Sequence, residues 1–183
     1  MKTQLWRFAV PACLLAVSYA APGADDDAKS YHDANVQRAE DSYEAQKERC
    51  KQLSGNKRDV CMAEARRDER TEKADAEAAY KPNADHITDE MTTRADGDYK
   101  VAKEKCDAKA GNDKDICLKD AEAAHTKAIA DAKAYRKSAE AHQDAAKKSM
   151  DADYDAAKER CENYAGETRD TCLSEARVRY GKQ

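Results

Sequence analysis

The chain has 183 residues, 37 acidic against 33 basic, with a mean hydropathy of −1.05. An acidic balance argues against non-specific nucleic-acid binding, which needs clustered positive charge. The 40% hydrophobic fraction is mostly alanine, and sparse large apolar side chains cannot build a thick globular core against the entropy of ordering the chain.

Residues 1–20 carry the marks of a secretory signal. Lys2 and Arg7 form a basic start, Phe8 to Val17 is an apolar run too short to span a bilayer, and Ser18 and Ala20 suit a cleavage site. Cys13 lies inside the apolar run and is expected to leave with it. Without Lys2 and Arg7 the 33 basic residues fall to 31 against 37 acidic, a formal charge of −6. No later segment is apolar enough to cross a membrane. Residues 21–28, with Pro22, Gly23 and Asp25 to Asp27, are expected to be a flexible mature N-terminus. From Lys29 to the end the chain is rich in good helix formers and lacks strand signals.

One motif occurs three times in the 29–183 region, centred on 43–65, 99–121 and 154–176. Tyr43, Tyr99 and Tyr154 each precede a Cys by seven residues, and a second Cys follows the first after eleven. The pairs are Cys50 with Cys61, Cys106 with Cys117, and Cys161 with Cys172. Between them sit Gly55, Gly111 and Gly166. Each Gly is expected to end one helix in the left-handed conformation, with Asn56, Asn112 or Thr168 capping the next. Both cysteines then stand at similar heights across an antiparallel hairpin, about five residues from the turn. In an exported chain six evenly spaced cysteines indicate a disulfide framework. A rival geometry is an unbroken helix, on which residues eleven apart stand about 16 Å apart and bond only to another chain; the glycine turn signal favours the hairpin. Small residues, Ala65, Ala121 and Ala176, four positions after each second Cys, permit the close approach a disulfide needs. The repeat Tyr is expected to cover the seam.

Between the first and second copies, Lys81-Pro82-Asn83 predicts a helix end near Tyr80 and a new start near Ala84. Gly97 is a weaker interruption. Between Cys117 and Cys161 there is neither Gly nor Pro, so that stretch is either one helix or two meeting near Ser138, the position matching Pro82. Pairs such as Glu69 with Lys73 and Asp115 with Lys119 support exposed helix faces. The fold expected is all-α, three disulfide-linked antiparallel hairpins in an elongated bundle or strung along long helices.

No nucleophile–base constellation, phosphate-cradling glycine loop or nucleotide motif is present, so no catalytic residue, enzyme activity or cofactor is expected. The weak metal candidates are His86, Asp85, Asp89 and Glu90, which also read as an acidic first helical turn. His32, His125 and His142 are isolated in sequence and expected to be exposed.

The phrase A-K-E-[RK]-C…A-G-N…D-x-C, clearest at Ala102–Cys117, resembles a group of small exported Ala/Lys/Glu-rich proteins of Gram-negative bacteria, often labelled cell-envelope or TolA-like. The resemblance implies periplasmic residence and carries over no catalytic residue. The function expected is a non-enzymatic periplasmic or secreted structural or interaction protein, with chaperone-like holding as one form and protein partners in the envelope. The alternative is divalent-metal binding on acidic and His-containing helix faces.

Overall fold

A computed structural model describes residues 24–182. The described chain is five helices with no strand: α1 (Ala24–Cys50), α2 (Gly55–Tyr80), α3 (Ala84–Cys106), α4 (Gly111–Cys161) and α5 (Gly166–Arg179). Residues 1–20, read above as a signal, lie outside the described residues. Helix α1 begins at Ala24, inside the segment expected to be loose, and Asp25, Asp26 and Asp27 fill its first turn. Three carboxylates there complement the partial positive charge of the helix start, which offsets the poor helix propensity of Asp.

The three hairpin turns are built alike. The first Cys is the last residue of its helix, a four-residue loop follows, and Gly opens the next helix. Leu53, Lys109 and Tyr164 donate their backbone N–H to the carbonyls of Cys50, Cys106 and Cys161 at 3.0, 2.9 and 3.0 Å. These tight i to i−3 bonds wind the chain down where α-helical bonds stop. Ser54, Ala110 and Ala165 are then extended, and Gly55, Gly111 and Gly166 take φ of +58°, +55° and +59°. The left-handed glycine is thus where the spacing places it, but it starts the second helix rather than capping the first. The cysteines are unequally placed along their helices, one at a helix end and the other in the seventh position of the next helix. Asn56 does not cap. Its side chain donates to the Glu104 carbonyl at 2.6 Å and ties the first turn to the end of α3.

Pro82 separates α2 from α3, and Asn83 caps α3 by accepting from the His86 N–H at 3.0 Å. Gly97 does not interrupt α3. It is buried against α2, where an added Cβ would lie 2.6 Å from Arg67 Cγ. At Ser138 nothing breaks the ladder, and α4 runs for 51 residues, about 77 Å at the standard rise.

Helix α1 meets α2, α2 meets α3, α3 meets α4 and α4 meets α5; no other pair touches among the described residues. The first four helices therefore form an open row one helix thick, not a closed bundle. The third hairpin is carried away on the far half of α4, and residues 140–150 between the two bodies are exposed on every side. Both expected arrangements occur in one chain, two hairpins side by side and the third strung along a long helix. The buried apolar positions are Ala39, Ala65, Ala76, Ala95, Ala121, Ala132 and Ala176, the cysteines 50, 106 and 161, and Val101. Only Val101 among them is a larger aliphatic, so the helices approach through small side chains and pinned sulfurs.

Candidate functional site

The repeated feature is the disulfide seam. Cys50–Cys61, Cys106–Cys117 and Cys161–Cys172 are bonded, with Cα separations of 5.5, 5.6 and 5.7 Å. That lies well inside the 8–10 Å typical of helix axes, and the alanine four residues beyond each second Cys is buried in every copy: Ala65, Ala121 and Ala176. The first Cys of each pair is sealed and the second is half-buried.

Above each seam the repeat Tyr is half-buried, as expected of a cover. A lysine one turn on lies over each ring: Lys47 over Tyr43 at 5.5 Å, Lys103 over Tyr99 at 4.6 Å and Lys158 over Tyr154 at 4.8 Å. Such contacts contribute roughly 0.5–1 kcal/mol at exposed sites. From the opposite helix, His125 stacks on Tyr99 at 4.7 Å, and Tyr180 reaches Tyr154 at 6.2 Å. His125 also bonds Asp96 through Nε2 at 2.7 Å. It is a cross-helix contact, where sequence alone suggested an isolated exposed imidazole. The periodic Tyr was legible from spacing; the position eight residues after the second Cys, which supplies its partner in the second and third copies, holds Glu69, His125 and Tyr180 in turn and left no repeat signal.

His32 is likewise engaged. Its Nδ1 pairs with Asp33 at 2.9 Å, its Nε2 with Glu77 of α2 at 2.9 Å, and its ring packs on Tyr80 at 5.0 Å. Glu77 also receives Lys81 at 2.8 Å and, from α3, His86 at 3.9 Å. The Lys81 ammonium holds the Glu77 carboxyl below its ordinary range against the opposing effect of burial, with His32 and His86 adding to it.

The metal candidates do not converge. Asp85 pairs with Arg136 of α4 at 2.9 Å, Glu90 with Arg94 at 2.5 Å, and His86 faces Glu77. Asp89 offers its backbone carbonyl to Thr92 at 3.1 Å. No set of three metal-ligating side chains is gathered among the described residues. The sequence places these groups on neighbouring faces of one helix start; Arg94 of α3 and Arg136 of α4 take two of the carboxylates, and the Glu77 carboxylate of α2 takes His86. Of the local pairs expected, Glu69 holds Lys73 at 2.8 Å, whereas Lys119 turns to Glu122 at 2.8 Å instead of Asp115.

None of the described helices is long and apolar enough to cross a membrane. No protein-family model, curated protein or solved structure matches this chain.

Proposed function

We propose that this is an exported, non-enzymatic interaction protein of the periplasm or cell envelope, with residues 1–20 acting as its export signal. Its working part is surface. The single observation that carries this proposal is the row one helix thick, held by disulfides and alanine. Such a row exposes far more side-chain area per residue than a closed bundle. Intrachain disulfides persist in oxidising compartments and are rare in the cytosol, which supports export. The exposed faces mix charge with separated apolar side chains, among them Tyr31, Tyr135, Met150, Tyr164 and Val178. Scattered apolar groups within a solvated surface suit weak, reversible holding of other chains better than one tight partner.

The test has two readouts. Osmotic shock should release the protein with its six cysteines resistant to alkylation until reduced. The purified chain should delay aggregation of a chemically unfolded client at near-stoichiometric ratio. Retention with the cytosol, or thiols that alkylate directly, overturns export; unchanged light scattering overturns holding.

A further inference from the structure

The copies share their cysteines, tyrosines, glycines and seam alanines, so departures from the pattern are informative. Several fall around one cavity. Between α2 and α3 lies an opening of about 460 Å³ lined by Arg66, Arg67, Arg70, Gly97, Lys100 and Glu104. Openings of roughly 300–1,000 Å³ are the size that holds small ligands.

Most of the cationic character of this cavity is not inherited from the repeat. The positions matching Arg66, Arg67 and Arg70 are Glu122, Ala123 and Thr126 in the second copy and Arg177, Val178 and Gly181 in the third. The positions matching Lys100 are Glu44 and Asp155, and those matching Gly97 are Asp41 and Ala152. Glu104 recurs in both other copies, as Glu48 and Glu159, and Arg66 recurs in the third as Arg177. Where the first and second copies meet, three acidic positions of the pattern (Glu122, Glu44 and Asp41) are answered by Arg66, Lys100 and Gly97.

Arg67 is spoken for: Asp68 and Asp98 hold its guanidinium at 2.7 and 3.3 Å. That fixes one wall of the cavity, and Gly97, lacking a Cβ, leaves room for the Arg67 stem. Arg66, Arg70 and Lys100 are exposed and make no ion pair among the described residues. Arg66 and Arg70 are one turn apart on a single face, where like charges disfavour each other. In a chain with more acids than bases, three cations without an ion pair around one opening leave a local positive charge that an anionic group complements.

We infer that this cavity is a binding site for a phosphate-bearing ligand, a phosphomonoester or diphosphate group seated between Arg66 and Arg70 on α2 and Lys100 on α3. Guanidinium forks match phosphate oxygens in pairs, and an ammonium adds a point charge. Three free cations against Glu104 match a compact group of two or more negative charges better than a single carboxylate. The phosphate comes either from a soluble ester or from a lipid headgroup.

The experiment titrates the disulfide-intact protein with sodium pyrophosphate by calorimetry. In parallel, phosphatidylcholine vesicles with and without phosphatidic acid are tested for co-sedimentation. Saturable binding is expected, weakened about tenfold or more when Arg66 and Arg70 are both changed to Gln, the loss expected of charge-assisted hydrogen bonds. Lys100→Gln should weaken it as well, and Lys133→Gln on the exposed face of α4 should not. Both arginines are exposed, so unchanged helicity and melting should accompany the loss. Binding of pyrophosphate alone identifies a soluble ester; co-sedimentation that requires phosphatidic acid and fails in the double variant identifies a headgroup. Absence of saturable binding in both arms, or equal binding by wild type and the arginine double variant, overturns the site.

Discussion

Side chains from both sides of α2 converge on Glu77, whose carboxylate meets His32 of α1, Lys81 beyond the helix end and His86 of α3. Its proton affinity is lowered in the folded state, first by the Lys81 hydrogen bond. A carboxyl whose folded pKa is depressed contributes stability that is present above its unfolded value, near 4, and is lost as pH falls through the folded value. Glu77→Gln should therefore lower the melting temperature at neutral pH, and the gap to wild type should close once both are acidified below the carboxylate range. A gap that persists in acid would show that lost packing, not charge, is responsible. Asp75 has the opposite sign, since burial raises its pKa and Glu90 repels it across the Arg94 they share; acidification relieves that pair. At this scale the sequence was partly transparent. Cysteine, tyrosine and glycine recur at fixed spacing because a disulfide, a cover and a positive φ each tolerate few substitutes. Asn56 misled because a good capping residue lies within reach of a neighbouring helix end, and Gly97 misled because close approach and helix breaking use the same residue.

Helix α4 shows what a missing breaker does. Lys81-Pro82-Asn83 folds α3 back onto α2, whereas Lys137-Ser138-Ala139 occupies the matching place and the helix passes straight through. Arg136 with Glu140 at 2.9 Å and Lys147 with Asp151 at 3.2 Å brace the exposed span, each contributing only about 0.2–0.5 kcal/mol. Proline inside a helix costs about 3 kcal/mol or more, and the exposed ion pair of nearby Arg136 with Asp85 is too weak to offset it. Ser138→Pro should bend or break α4 locally, altering the maximum dimension in small-angle X-ray scattering while all three disulfides still form. An unchanged scattering profile would mean that other forces hold α4 straight. The start of α3 and the end of α2 were legible because proline acts through its own backbone. The continuity of α4 was not, because a span without Gly or Pro is compatible with either a straight helix or a packed turn, and only the neighbours available decide.

Across the molecule, stability is shared between cross-links and shallow seams. Closing an eleven-residue separation contributes on the order of 3 kcal/mol per disulfide in the chain-entropy model. The consequence is unequal, because α2 packs on both α1 and α3 while α5 has 14 residues and touches only α4. Isolated helices of that length are marginal in water. In hydrogen exchange read by mass spectrometry, reduction should expose the amides of α5 first and those of α2 last. Simultaneous loss throughout would mean that one cooperative unit spans the row and the third hairpin. The all-α class and the three pairings were written in composition and spacing; the open row was not, since alanine faces pack equally well in closed and open arrangements. That openness also sets the order of folding. No helix returns to seal an earlier one, so nothing near the amino end waits for anything near the carboxyl end. The contacts are short-range along the chain, the regime of rapid folding. For a polypeptide synthesised amino end first, each hairpin can therefore form once its second helix is available, without waiting for the helices that follow.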